Sequence, residues 1–455
     1  MSLVTATSDQ PRSSGRQTVT SILSRRHSYV ADQNERKGTD MSSDEGSDFT
    51  VEALRREVAA VMAVRPDDWD EKGLLQAVPL LLRAGSSIQV SGSIQKQAAI
   101  YERAEQLAAR ADLSSERLMA LFGLATSCIE LGDYVRAQQV LHTARRLATK
   151  LGALADKARA TQLLGEASFF QGDLSAAGGL FEEALRDFEQ LSDAEGQALL
   201  HIELGRVEAG QGHLDQAAAH LESVLRASAR LRRDELACAG GSELAVIRYR
   251  QGNLTAAEEQ ARETLHLMEG AGDVSGAVNM WHLLGLIAQK KQDLESAQQR
   301  LERAGTLARQ IGNIPDYANA LRELGVMAFA RGDYAQASSC LVEALRRLQS
   351  TGHRYDEALT WQALSNMALQ RDDLRATALL SATATLLHES VGTSAAQQEV
   401  ANGYQILALL AARPAVGGDA RRILRAAADT YRRDRGWSLV RASVGPLDDL
   451  QPPPV

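Results

Sequence analysis

A short turn motif recurs every 40 residues along this chain, and this regular spacing limits the possible folds more than any other feature. Each copy carries Asp, Asn or His followed by Leu or Tyr, and five of the seven copies begin with glycine. The copies are Gly132-Asp133-Tyr134, Gly172-Asp173-Leu174, Gly212-His213-Leu214, Gly252-Asn253-Leu254, Gln292-Asp293-Leu294, Gly332-Asp333-Tyr334 and Asp372-Asp373-Leu374. Self-similarity at a fixed period predicts stacked copies of one supersecondary unit, not a single closed globule.

Small residues recur in the same register as the turns. Seven positions before each turn, a small residue follows a leucine, and twelve positions after that small residue stands another. The first set is Ala125, Gly165, Gly205, Ala245, Gly285, Gly325 and Ser365; the second is Ala137, Ala177, Ala217, Ala257, Ala297, Ala337 and Thr377. Helices approach closely only where the facing side chains are small, and glycine inside a helix costs roughly 0.5–1 kcal/mol relative to alanine. Each unit is therefore predicted to be a hairpin of two closely packed antiparallel helices. The turn glycine would end the first helix, and the Asp or Asn after it would cap the second.

Composition supports an all-α fold and excludes several classes of function. The apolar residues are mostly Ala and Leu, aromatic residues make up 4% of the chain, and long β-branched runs are absent. The net charge of -8 and the lack of a basic stripe argue against nucleic-acid binding. The three cysteines, Cys128, Cys238 and Cys340, are far apart and form no CxxC pair, so neither a zinc site nor a disulfide framework is expected. No cofactor is indicated.

The sequence also predicts where the chain resides. No apolar run reaches the length of a membrane-spanning helix, and the N-terminal residues lack the apolar segment of a signal peptide. We therefore expect a cytoplasmic protein that does not insert into membranes.

The repeat register divides the chain into five segments. The sequence predicts a disordered N-terminal tail (1–50), N-terminal helices with a degenerate first repeat (51–113) and seven regular repeats (114–392). Capping helices (393–436) and a flexible tail (437–455) follow. The last helix, RRILRAAADTYRRDR, is polar on most of its surface, as a terminal cap must be.

The small residue in the first helix, the alanine in the second and the Gly-Asp-Tyr turn together resemble the tetratricopeptide repeat. The resemblance covers about three fifths of the chain. It implies a right-handed superhelical solenoid of helical hairpins whose first helices line a groove. The period of 40 departs from the family's 34, and the usual proline between units is absent except for Pro315. Repeats of 40 residues are similar to those of bacterial signal-responsive regulators, polarity adaptors and kinesin light chains.

Carrying the family's groove positions onto this sequence gives a candidate partner-binding set on the first helices. Its core members are Phe122, Phe169, Phe170, Arg206, Tyr249, Arg250, Asn279, His282, Asn319 and Arg322, with Ile129, Lys290 and Phe329 beside them. The aromatic members would contact apolar side chains of a partner, and the arginines and asparagines would contact its acidic groups or backbone. The alternative is that these are ordinary surface residues, and that Phe169 and Phe170 pack against the next unit.

These observations favour a non-enzymatic scaffold or adaptor that binds a partner peptide or domain in the groove. The chain has no phosphate loop, HExxH motif, nucleophile elbow or dinucleotide glycine pattern. The alternative function is a regulatory subunit that senses a ligand or peptide for a signalling or transcription system, with its output domain on another chain. The sequence specifies neither the partner nor the oligomeric state.

Overall fold

The computed structural model describes residues 44–87, 93–391, 394–416 and 419–444. These ranges contain α-helices in consecutive packed pairs and no β-strand. The first three helices are α1 (Asp44–Ala63), α2 (Glu71–Gly85) and α3 (Ile94–Arg110), with a short 3₁₀ turn at Pro66–Asp68. The all-α fold predicted from the sequence is confirmed.

Seven helical hairpins follow, and in our labels each first helix is even-numbered and each second helix odd-numbered. The first helices are α4 (Ser114–Glu130), α6 (Leu154–Gln171), α8 (Ala194–Gln211), α10 (Asp234–Arg250), α12 (Val274–Lys290), α14 (Ile314–Ala330) and α16 (Arg354–Gln370). The second helices are α5 (Tyr134–Leu151), α7 (Leu174–Gln190), α9 (Leu214–Leu231), α11 (Leu254–Gly270), α13 (Leu294–Gln310), α15 (Tyr334–Thr351) and α17 (Leu374–Val391). Helices α18 (Ser394–Ala411), α19 (Ala420–Asp434) and α20 (Trp437–Val444) come last.

The turns inside the hairpins have the conformation that the sequence predicts. The residue that begins each motif has positive φ in all seven copies, including the two that are not glycine, Gln292 at 64° and Asp372 at 59°. In six copies the following Asp or Asn accepts a hydrogen bond from the backbone N–H three residues later. His213, in the remaining copy, makes no such cap. The left-handed residue ends the first helix and the residue after it occupies the N-cap position of the second, so the same helix boundaries recur every 40 residues.

A second series of left-handed turns, which the sequence did not reveal, joins one hairpin to the next. Their positive-φ residues are Asp112, Gly152, Ser192, Arg232, Gly272, Gly312 and Gly352. They lie midway between the motif turns, so a left-handed residue recurs every 20 residues and the two helices of a unit have nearly equal length.

The small residues make close interhelical contacts, as predicted. A Cβ built on Gly165 would lie 2.6 Å from a ring carbon of Phe181, and one built on Gly285 would lie 2.7 Å from Cγ of Leu301. Gly205 and Gly325 face Leu221 and Leu341 in the same way, again sixteen residues later in the chain. The alanines of the second set are fully buried. The glycines are thus required where the two helices of a hairpin meet.

The described helices form two compact units that divide between Glu243 and Leu244, within α10. In the unit that ends at Glu243, apolar clusters join neighbouring helices, as where Phe181 and Phe188 pack with Leu200 and Leu204. In the unit that begins at Leu244, the largest cluster gathers around Trp361 and includes residues of α15, α16, α17 and α20. Each unit therefore buries its apolar surface between adjacent hairpins, as a repeat protein does.

The ends of the chain differ from the sequence prediction. Helix α1 begins at Asp44, within the segment expected to be disordered, and residues 1–43 lie outside the described residues. The segment from Trp437 to Val444, expected to be a flexible tail, is helix α20. The Trp437 side chain is 2% exposed and packs in the Trp361 cluster, so burial of a large aromatic ring orders this segment. Residues 445–455 lie outside the described part of the chain.

Candidate partner-binding face

All ten core residues of the predicted set lie on first helices. Within each unit, we call the surface formed by its even-numbered helices the first-helix face of that unit. Within each unit, neighbouring first helices contact each other directly: α4 contacts α6, α6 contacts α8, α12 contacts α14 and α14 contacts α16. Side chains from successive hairpins can therefore meet on this face, in two groups that we describe separately for the two units.

Arg206, on α8, is enclosed by two carboxylates. Its Nε donates to Oε1 of Glu243 at 2.9 Å, and its Nη1 lies 3.2 Å from Oε2 of Glu203. The three side chains are only 8–9% exposed. Burial alone would lower the pKa of Arg206, but the two glutamates together hold it above its usual value. The structure corrects the expectation that Arg206 is an open cation for a partner's acidic group.

Arg322 and Asn319, on α14, belong to a second polar network. Arg322 donates to Oδ1 of Asn319 at 2.8 Å and to Oε1 of Glu323 at 3.0 Å. The Asn319 side chain in turn hydrogen-bonds Asp356 on α16. Burial is the largest influence on Asp356 and raises the pKa of its carboxyl group, while Arg322 and Asn319 act against the increase. The sequence predicted that Asn319 and Arg322 lie on first helices, but it did not indicate that Asp356 and Glu323 bind them.

Two ionisable groups near this network have strongly shifted pKa values. Burial raises the pKa of Asp316 to about 6, and the charge of Asp356 adds to the increase, while a hydrogen bond from Asn313 opposes it. Burial lowers the pKa of His282 to about 4, with Glu323 opposing and Arg322 adding to the decrease. His282 is therefore a neutral imidazole at pH 7, and its Nε2, like Nε1 of the adjacent Trp281, is buried without a hydrogen-bond partner.

Phe122, on α4, lies beneath an arginine that the sequence did not single out. The guanidinium carbon of Arg159, on α6, is 4.7 Å from the centroid of the Phe122 ring. Phe122 is 4% exposed and packs in a cluster with Leu118, Leu121 and Ala125. A partner would therefore meet Arg159 before it reached the Phe122 ring.

Phe169 and Phe170, at the end of α6, contact other aromatic and apolar groups of the first unit. Their rings meet edge to face with centroids 5.8 Å apart, and Phe170 stacks on Tyr134 at 5.9 Å. Phe169 packs against the cluster of Phe181, and both rings remain partly exposed. The cluster around Phe169 includes Leu200 and Leu204 of the next hairpin, as the alternative interpretation expects, whereas Phe170 stacks on Tyr134 of the preceding hairpin.

The remaining members are Tyr249, Arg250 and Asn279. Tyr249 is 6% exposed, with the Lys290 ammonium 5.0 Å from its ring centroid. Arg250 is half-buried, and burial lowers its pKa. Asn279 is half-buried on α12, one turn before His282.

The described residues show neither a metal-ligand cluster nor a membrane span. No group of three or more His, Cys, Asp or Glu side chains in these ranges is arranged to bind a metal ion. None of the described helices combines the length and apolarity needed to cross a bilayer. All three cysteines are free thiols, and Cys128 is buried.

Comparison with known proteins identifies the repeat. The tetratricopeptide-repeat family model matches residues 276–350. No curated protein sequence matches the chain. Aspartyl phosphate phosphatase F from Bacillus subtilis aligns over 84% of this chain and 97% of its own, with 11% identity and a TM-score of 0.51.

Two further solved structures align less closely. The apo quorum sensor NprR from B. thuringiensis aligns over 71% of this chain and 94% of its own, with 15% identity and a TM-score of 0.45. BtubC from P. vanneervenii aligns over 48% of this chain and 91% of its own, with 22% identity and a TM-score of 0.43. At these identities the likeness concerns the fold alone. The family match identifies tetratricopeptide repeats at residues 276–350, and the other described hairpins share their left-handed turns and small-residue contacts, so the fold is an array of tetratricopeptide-like repeats.

Proposed function

We propose that this chain is a non-catalytic scaffold or adaptor that holds a partner peptide or protein domain against a first-helix face. The observation that supports this most is the polar network of Asn319, Arg322, Glu323 and Asp356 on adjacent first helices. Burying charged groups costs free energy, and the stacking of hairpins needs only apolar and small residues. Because folding does not require these buried polar groups, we infer that they serve to bind a partner.

Exposed apolar side chains on first helices of both units support this role. Met119 on α4 is 54% exposed, and Val326 on α14 is 37% exposed. Apolar side chains beside fixed polar groups are typical of the surfaces that bind peptides and protein segments. No catalytic motif occurs in the sequence, and the proposal includes no chemical step.

Site-specific photocrosslinking tests the proposal. A photoreactive phenylalanine analogue at Met119 or Val326, on first helices, is compared with the same analogue at Val135 or Leu294, on second helices. Val135 is 60% and Leu294 37% exposed, so each pair is matched in exposure. In cells of the source organism, the first-helix positions should crosslink to one recurring partner and the second-helix positions should not. Equal crosslinking from both faces, or none from the first-helix face, would contradict the proposal.

A sensing role is the second candidate, and one observation favours it. The buried Nε1 of Trp281 and Nε2 of His282 lack hydrogen-bond partners, although buried polar atoms are normally paired. A small ligand or a peptide backbone that enters beside α12 would satisfy them. A ligand that binds only the folded state raises the melting temperature, so a thermal screen with peptides and metabolites tests this role. If no compound raises the melting temperature of the wild type, the sensing role is wrong.

A further inference from the structure

Arg159 differs from the other arginines of the first-helix face whose contacts are described above. It donates no hydrogen bond and forms no ion pair with any residue in the described part of the chain. Arg206 and Arg322, by contrast, each contact carboxylates of this chain. The charge of Arg159 is therefore not neutralised by a direct partner.

Arg159 is exposed at the surface, although surrounding protein still affects its charge. Its side chain is exposed to solvent, yet burial by the surrounding protein is the largest influence on its pKa and lowers it. The guanidinium carbon lies over the Phe122 ring, 4.7 Å from its centroid, and this contact with the ring face involves no conventional hydrogen-bond acceptor. The donors of Arg159 therefore remain available to a partner.

Met119 is an exposed apolar side chain on the same side of this unit as Arg159. Met119, 54% exposed, is one helical turn before Phe122 on α4 and occupies the same repeat register as Arg159 on α6. Since α4 and α6 are neighbouring first helices in contact, the cation and the apolar side chain face the same side of the unit. The two together match a ligand that carries an anionic group next to an apolar one.

We propose that Arg159, oriented by Phe122, binds a carboxylate side chain of a partner peptide, with Met119 contacting the apolar residue beside it. This inference rests on the proposed function, because it names the chemistry of the partner on the same face. It replaces Arg206 with Arg159 as the residue that binds an acidic group.

Local charge favours a carboxylate over a phosphate. A single guanidinium matches a planar carboxylate through two parallel hydrogen bonds. A phosphate dianion carries nearly twice the charge of a carboxylate. Bound to Arg159, it would also be repelled by the negative charges of Asp156 and Glu166, which act on Arg159. Arg159 alone offers too little positive charge to compensate. An acidic peptide is therefore the expected occupant.

We call the proposed binding of a partner's carboxylate by Arg159 the anchor. Selection from a library of random phage-displayed heptapeptides tests it. The wild-type protein should enrich peptides with Asp or Glu at one fixed position next to an apolar residue. For a synthetic copy of an enriched peptide, Arg159→Gln should weaken binding by about tenfold or more, because a hydrogen bond to a charged group is lost. Arg159→Lys should recover only part of the affinity, because lysine lacks the planar pair of donors. Arg186→Gln, at an exposed arginine of α7, is the matched control and should leave the affinity unchanged.

A double-mutant cycle separates the possible outcomes. Replacing the acidic residue of the peptide by its amide should weaken binding to the wild type by the same factor, and should have little effect on binding to Arg159→Gln. If both peptides bind both proteins equally, the anchor is wrong while peptide binding stands. If a phosphoserine peptide binds more tightly than the Asp peptide, the carboxylate assignment is wrong. If no peptide is enriched, the anchor is wrong, whereas the proposed function fails only if the first-helix positions also form no specific crosslinks.

Discussion

Asp316 shows how a single buried carboxyl group links the first-helix face to pH. Its pKa is raised from 3.8 to about 6, so between these values the folded chain keeps a proton that the unfolded chain releases. The unfolded state then binds fewer protons, and stability falls as pH rises through this window. His282, lowered from 6.5 to about 4, acts in the opposite sense, and its contribution is lost as pH falls through its own window.

We predict that Asp316→Asn stabilises the protein at pH 8 and has little effect at pH 4. At pH 8 the variant removes a buried charge that costs on the order of 2–3 kcal/mol, and at pH 4 the wild-type group is already neutral. Urea unfolding of variant and wild type at each pH measures the difference and cancels the contribution of His282. Asp333→Asn, at an exposed turn, controls for the loss of one negative charge. An equal effect of Asp316→Asn at both pH values would show that burial does not govern this group.

At the residue scale, the sequence predicted positions well and partners poorly. The repeat register placed all ten core residues of the candidate set on first helices. The register did not reveal that Glu243 reaches Arg206 from the next hairpin, since that contact depends on how closely neighbouring first helices approach. The glutamates at positions 203, 243 and 323, in one repeat register, were the available signal, because each lies beside an arginine of this face. Arg159 shares the repeat register of Asn279 and Asn319, which is enough to place it on a first-helix face, but the sequence does not show that it lacks an acidic partner within the chain.

At the scale of the helix pair, the small residues determine how closely two helices approach. We predict that Gly285→Leu and Gly325→Leu each destabilise the protein by about 1–3 kcal/mol or more through overpacking. A Cβ alone at these positions would already lie 2.7 Å from Cγ of Leu301 and 3.0 Å from Cγ of Leu341. Thermal or chemical unfolding provides the measurement.

Gly179 offers a matched control for these variants. It lies inside helix α7, and a Cβ built there would meet nothing within 4 Å. Gly179→Ala should therefore stabilise by up to about 1 kcal/mol through helix propensity alone. Unchanged unfolding of both leucine variants would show that the helices do not meet at these glycines.

The turn between two helices gives a second prediction at this scale. Gln292 adopts a φ of 64°, whereas five of the six other motif turns carry glycine, with φ of +77° to +90°. A left-handed conformation costs a residue with a Cβ roughly 1–2 kcal/mol, so Gln292→Gly should stabilise the protein by about 1 kcal/mol. The reverse change, Gly332→Gln, should destabilise it by a similar amount. If both variants have the wild-type unfolding midpoint, these turns are not under conformational strain.

The two series of turns also show what the sequence can indicate at the scale of elements. The motif turns were recognisable because glycine and a capping Asp or Asn recur there. The alternate series includes Asp112, Ser192 and Arg232, which adopt positive φ without glycine. The N–H group of the residue after each of them donates a hydrogen bond back to the preceding helix, and this arrangement requires a left-handed residue. The local sequence does not show which residues will end a helix in this way.

At the scale of the whole chain, the C-terminal helices are held by a buried polar network as well as by apolar contacts. Nε1 of Trp437 donates to Oε1 of Gln349 at 2.9 Å, and Nε2 of Gln349 donates to Glu357 at 2.8 Å. The Tyr431 hydroxyl also donates to Glu357, and burial together with the nearby carboxylate raises the pKa of that hydroxyl. The sequence predicted a polar cap here but not this attachment, which joins residues more than 70 positions apart.

We predict that Trp437→Ala destabilises the end of the array and leaves distant hairpins intact. Removing a buried tryptophan costs about 3–5 kcal/mol, and it also leaves Gln349 without one of its partners. In a repeat protein each unit depends mainly on its neighbours, so the loss should be concentrated in residues 334–391 and 420–444. Hydrogen exchange should accelerate there and remain unchanged in residues 134–190. Leu409→Ala, at a side chain that is 58% exposed on α18, is the control and should alter exchange little. Uniform acceleration along the chain would instead mean that the hairpins unfold as a single cooperative unit, and stability would not then be a sum of local terms.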